Sequence, residues 1–332
     1  MKSHNMLNLN AAPVRLGLIA ASLALTLAGQ AAAQSYPARP ITFVVPASTG
    51  SSMDIMARQI GPVLAKRHGQ PVVVENREGA SGNIGVMRVV KAPPDGYTVL
   101  VAANTISTAP WLYKDLEYDP VTDLTPVAKL NVTKFGLVVN PAVEAKRTSE
   151  LVALAKKDPG KLNAASSGAL TPQRLLLELF KQTVGVEITH VPYKGVAGAV
   201  TGLMSGQVQA MFTTVHSVLP QVGAGTLRVL SIASTRRVPW FPDVPTMAEE
   251  GIAGVDSDGW AALFLPAKAP ADIVRRLSEE TLSIISQPEL RETVLKQGVI
   301  VDPAGPEELA ALLKRDLAKW QKVVAQAGIK PE

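Results

Sequence analysis

Four hydroxyl side chains and a glycine crowd the stretch PASTGSSMD, Pro46 to Asp54, between an apolar run, ITFVV, and a segment of helical periodicity. A helix start carries free backbone N–H groups and about half a positive charge. Small residues let a ligand reach that backbone, and hydroxyls add donors, so Ser48, Thr49, Gly50, Ser51, Ser52, Met53 and Asp54 form a candidate seat for a carboxylate or phosphate. Capping of the helix by Ser52 or Asp54 accounts for one polar residue of this set and not for four. The same chemistry recurs downstream. AASSGALTP supplies Ser166, Ser167, Gly168 and Thr171 ahead of Pro172, with Arg174 just inside the helix; PYKG supplies Tyr193, Lys194 and Gly195. Asn104 and Thr105 are expected to close the strand YTVLVAAN, and Thr213 and Thr214 to close AMFTT.

Catalytic readings are thin. The sequence holds no cysteine and no HExxH, Walker A or GxSxG pattern, and no metal-ligand cluster is expected. Beyond His4 its histidines are His68, His190 and His216; His68 is expected at a helix C-terminus, where a cation is favourable. Pairing Ser166 or Ser167 with His190 gives an alternative, an exported α/β hydrolase. GASGNIG spaces Gly79, Gly82 and Gly85 as GxxGxxG rather than GxGxxG, which suits a tight turn with close helix packing better than a nucleotide fingerprint. No cofactor is expected.

The 332 residues are enough for one large or two modest domains. A basic, acid-free start, the run LGLIAASLALTLAG and then QAAAQS read as a signal peptide over residues 1–33, cut after Ala33, which places the protein in the periplasm. The apolar run is shorter than the roughly 20 residues a membrane span needs. Taking Lys2 and Arg15 away from the formal +5 leaves +3, too little and too scattered for a nucleic-acid binder.

The elements that must position these loops alternate. ITFVV, VVVEN and YTVLVAAN are strands separated by helices, which implies parallel βαβ units and a doubly wound sheet. Met56, Ile60, Val63 and Leu64 mark the first helix, which Pro62 should bend or break. TPVAKLNVTKFGLVVNP and DGWAALFLPAKAP are long extended pieces on either side of a second βα series. Two α/β lobes joined by two crossings follow: domain 1 over 34–130 and 257–332, domain 2 over 131–256. The polar loops then fall at the carboxyl ends of strands, where open α/β sheets bind ligands.

Taken together, YPARPITFVVP, GQPVVVENREGASGNIG, PPDGYTVL, LYKDLEYDP, HVPYKG, SGQVQAMF, LRVLSIAST and FPDVPTMAEEG resemble the Bug family, from about Tyr36 to the last helix. The resemblance implies a type II periplasmic-binding-protein fold that captures a small organic mono- or dicarboxylate for membrane transporter subunits or a sensor, as a monomer. Asp54 matches the family's helix aspartate. The departures are the single Gly50 where a glycine pair is usual, Thr213 where an acid is common, and Arg174 where a histidine often follows. They imply a site with fewer acids and one more cation, selecting ligands without an ammonium group. The roles of Trp260 and Met53 stay open.

Overall fold

The structure, a computed structural model, describes Met1 and residues 36–331, so the expected signal peptide and its cleavage point lie outside the described residues. From Pro40 onward the chain is one compact unit. It opens β1 (Ile41–Val45), α1 (Ser52–His68), β2 (Val72–Asn76), α2 (Asn83–Val90), β3 (Thr98–Ala103) and α3 (Thr105–Leu112). β1 lies parallel to both β2 and β3. Met56, Ile60 and Leu64, at four-residue steps, bury one face of α1. Pro62 does not break this helix, because it sits on the exposed face, where water can take the carbonyl it frees.

β4 (Leu124–Val139) is the long extended crossing. After it come α4 (Thr148–Lys157), β5 (Asn163–Ser166), α5 (Pro172–Val184), β6 (Thr189–Pro192), α6 (Gly195–Met204), β7 (Ala210–Thr214), α7 (Leu219–Gly223) and β8 (Arg228–Ile232). Here β5 is parallel to β6 and β7, repeating the arrangement of the first series. The second crossing, β9 (Asp258–Pro266), leads to α8 (Ala271–Ile285), α9 (Pro288–Lys296), β10 (Ile300–Ala304) and α10 (Pro306–Gln326).

The sheet order is β2-β1-β3-β9-β4-β7-β5-β6, with β8 and β10 also paired to β4. β4 runs antiparallel to β9 as far as Lys134, and from Phe135 it pairs instead with β7 and β8. One strand therefore serves two α/β halves, each with its own core: Val44, Leu100 and Phe264 in the first, Leu137, Phe180 and Phe212 in the second. Phe180 and Phe212 meet edge to face at 5.6 Å. The doubly wound expectation holds, with antiparallel crossing strands making the sheet mixed. Asn104 and Thr105 differ from expectation. They do not end β3; Asn104 caps α3 and Thr105 opens it.

Candidate functional site

A cavity of about 840 Å³ lies at the carboxyl ends of the parallel strands of both halves. The loop after β1 builds its first wall. Ser51 caps α1, its Oγ accepting from the Asp54 N–H at 3.3 Å, so neither Ser52 nor Asp54 is the cap. Asp54, only 2% exposed, turns its carboxylate back into the loop. Its Oδ2 accepts the Gly50 N–H at 2.9 Å, its Oδ1 accepts the Asn76 amide at 3.0 Å, and Arg58 Nε lies 3.0 Å from both oxygens. The same Asn76 amide nitrogen donates to Ala47 O at 2.9 Å. Burial alone would raise the Asp54 carboxyl; the Arg58, Gly50 and Asn76 hydrogen bonds outweigh it and hold the pKa below the ordinary carboxylate value. Stitched at both ends, the loop presents Ser48, Thr49, Gly50, Ser51, Ser52 and Met53 to the cavity. Gly50 takes φ +83°, a left-handed turn that favours glycine. Asp54 is corrected from a candidate contact to the residue that holds the contacts.

Three more helix starts open on the same space. Asn104 and Thr105 bring that of α3, with the Asn104 backbone N–H anchored on Trp260 O at 3.1 Å. Ser167, Thr171 and Gln173 bring that of α5, and Gly195, Val196 and Ala197 that of α6. Thr214 completes the predicted set, its hydroxyl 2.7 Å from Ser217 Oγ.

Seven predicted residues do not line the cavity: Asp54 and six from the second half. Ser166 is fully buried beneath the wall, with Oγ 2.7 Å from Gly168 O and 2.6 Å from His190 Nε2. This serine–histidine pair fastens the β5 and β6 ends together. Burial, with Arg174 and Lys181 nearby, pushes His190 down to about 4, and among the described residues no carboxylate hydrogen-bonds it to complete a triad. Gly168 lies in the same turn. Arg174 folds onto Ala169 O at 3.0 Å, so the expected extra cation is absent from the wall. Tyr193 packs on Gly202 and reaches Gln207 Oε1 at 3.3 Å, Lys194 stands exposed, and Thr213 is buried in the sheet opposite Gly136.

Other lining residues were not foreseen. Glu78, Gly79, Ser81 and Gly82 follow β2, and Thr133 and Phe135 come from β4, while Trp260 of β9, whose role the sequence left open, also lines the cavity. His216, Ser217 and Gln221 follow β7. Trp260 is held from behind, its indole N–H donating to Asp316 Oδ2 at 2.7 Å. The β2 loop carried a readable signal, since it is polar and follows a parallel strand as the other loops do. Gly79, Ala80, Ser81 and Gly82 all have positive φ, so the turn coils left-handed at the rim. The glycine spacing does serve close packing. A Cβ at Gly85 would lie 2.7 Å from Pro46 Cβ and 2.9 Å from Arg77 O. Gly85→Ala should therefore push Pro46, and the loop it begins, toward the cavity. Chemical unfolding should show a loss of about 2 kcal/mol, with weakened ligand binding beside it.

Glu78, at the exposed rim, is the sole Asp, Glu, Lys or Arg among the lining residues described. Burial pushes the His216 imidazole down to about 4, leaving it neutral. The wall thus offers backbone N–H groups at four helix starts, hydroxyls and amides, with no side-chain cation: a field that favours an anion without a fixed counter-ion.

Comparison with known proteins agrees with this architecture. Residues 56–329 match the tripartite tricarboxylate transporter family receptor family, TctC. Protein BugT of Bordetella pertussis is 34% identical over 306 residues, spanning 92% of this chain and 94% of its own length. Among solved structures, R. palustris Rpa4515 with adipate superposes with a TM-score of 0.83 at 31% identity, over 90% of this chain and all of that one. MatC from Rhodopseudomonas palustris with bound malate gives 0.77 at 32% identity, over 87% of this chain and all of that one. Family, fold and a donor-lined cavity without a side-chain cation agree, and the chain belongs to the TctC/Bug family of periplasmic solute-binding receptors, which are not enzymes.

Proposed function

We propose that the cavity captures a small organic carboxylate, the two halves closing on it as lobes that hinge at β4 and β9. The observation that carries this reading is the convergence of four helix starts on one space with no side-chain cation. A buried carboxylate without a paired base demands several donors at once, and the loops of Ser48–Met53, Asn104–Thr105, Ser167–Gln173 and Gly195–Ala197 supply them. Closure strengthens each contact by excluding water, and proceeds only as far as the ligand gains free energy in the closed state beyond the open one. The carboxylates named with Rpa4515 and MatC support the same ligand class here. We assign delivery to the membrane subunits of a transporter or to a sensor, a role the family match supports, with the receptor working as a monomer. The lobes are assigned as 34–130 with 257–332, and 131–256.

A thermal-shift screen of carboxylates checks this. A true ligand at about a hundredfold over Kd should stabilise the protein by roughly 2.7 kcal/mol; a flat profile across mono-, di- and aromatic acids would remove the proposal. Within the screen, a 2-amino acid should bind more weakly than the same acid without its amino group. Thr213 is out of reach, and no carboxylate other than the rim's Glu78 lines the wall to pair with an ammonium.

A further inference from the structure

We infer that this receptor selects a carboxylate with one charged end and an apolar body, and that the cavity-lining side of α6 sets the preference. This rests on the carboxylate reading above. α6 begins at the cavity with its N–H groups and then runs along it. Val196, Val200 and Met204, four residues apart and so on one side of the helix, all belong to the wall. Met204 is 43% exposed, one of the few large apolar side chains left open to solvent among the described residues. The one hydroxyl on this part of α6, Thr201, is used internally, its Oγ1 donating to Ala197 O at 3.0 Å. Nearby, Thr214 and Ser217 hydroxyls bond each other. Donors are therefore concentrated at the helix starts and sparse along α6.

A second ionised carboxylate would need its own set of several donors. Along α6 it would meet methyl groups instead, and at the rim the like charge of Glu78. An alkyl or aryl body gains there. Each methylene buried against such a face is worth about fourfold in affinity, and 840 Å³ leaves room for several carbons beyond the head group.

Hexanoate and adipate share a six-carbon chain and differ only in whether the far end is a methyl or a carboxylate. Calorimetric titration of the purified protein should find hexanoate tighter than adipate by about tenfold or more, with affinity rising from butanoate to hexanoate. Met204→Asp, at an exposed position that does not threaten folding, should weaken hexanoate about tenfold. Adipate binding as tightly as hexanoate or tighter overturns the inference while leaving the carboxylate reading intact. An unaltered hexanoate affinity in M204D also overturns it. Failure of every acid in the series to bind overturns this inference, and the carboxylate reading falls with it only if the thermal-shift screen of mono-, di- and aromatic acids is also flat.

Discussion

Asp54→Ala is expected to remove about 2–3 kcal/mol of stability and to weaken ligand binding about ten- to a hundredfold, although Asp54 never reaches the cavity. Its carboxylate satisfies the Gly50 N–H and the Asn76 amide at 2.9 and 3.0 Å, in a site that is 2% exposed. Alanine leaves the Gly50 N–H without that acceptor and the Asn76 amide with Ala47 O alone, and hydrogen bonds to an ionised carboxylate are worth about 1.5–3 kcal/mol. Arg58 is half exposed and can turn to water, so the loss there is small. Binding suffers for a separate reason: the Ser48–Met53 loop is held open to the ligand only because Gly50 and Ala47 are tied at its two ends. A freed loop must be ordered by the ligand, and that ordering is subtracted from affinity. Asp54→Asn keeps an acceptor for one donor and should fall between wild type and alanine. Urea unfolding and calorimetry on the two variants check this. Full native stability combined with lost binding in Asp54→Ala would mean that Asp54 touches the ligand directly, against the geometry described here.

That example marks where reading the chain alone succeeds and where it stops. A strand followed by small polar residues and then a helix is a local pattern, so β1 to α1, β5 to α5 and β6 to α6 were legible, and so was the placement of their loops at one edge of the sheet. Which way a side chain turns inside such a loop is decided by partners far along the chain. Asp54 depends on Asn76, 22 residues away, and Ser166 on His190, 24 residues away. Arg174 looked like a cation for the ligand but found the Ala169 carbonyl one turn back. The flanks of the cavity were harder still. Phe135 and Trp260 face it because β4 changes partners between Lys134 and Phe135 while β9 lies beside it, a register that periodicity does not encode. The α6 face carries no polar signal at all, since an apolar stripe at four-residue spacing reads as core. α4, α9 and β10 are short and amphipathic or irregular, and went unread.

Acidification should destabilise the protein well above the range in which carboxylates titrate, and His216 and His190 should together account for most of the change. His216 lines the cavity and its backbone packs against the turn after α9: a Cβ at Gly298 would stand 2.8 Å from His216 Cα and 3.1 Å from Leu219 Cδ1. Its Nδ1 is shielded and makes no hydrogen bond among the described residues. Burial therefore lowers its pKa from the ordinary 6.5 to about 4. Between those values the unfolded chain takes up a proton that the folded chain resists, so stability falls as pH drops through that window, by about 3 kcal/mol at its lower end. His190 pulls the same way, lowered to about 4 by burial first and then by Arg174 and Lys181, so the two histidines share the loss. Asp316 acts in the opposite sense. Burial raises its carboxyl despite the Trp260 hydrogen bond, so the folded state binds its proton earlier than the unfolded one, offsetting part of the loss near the bottom of the window. Asp54, held low, gives up its contribution only below the ordinary carboxylate value. Urea unfolding of wild type and His216→Asn from pH 7.5 to 4.5 separates these groups. The variant should be less stable at neutral pH and lose markedly less on acidification; a slope equal to that of wild type would place the responsible proton elsewhere. Because His216 sits where the α9 turn of one half meets the cavity wall of the other, the same protonation should loosen the ligand-binding state before the protein unfolds. Affinity is then expected to decline with pH ahead of the loss of far-ultraviolet circular dichroism.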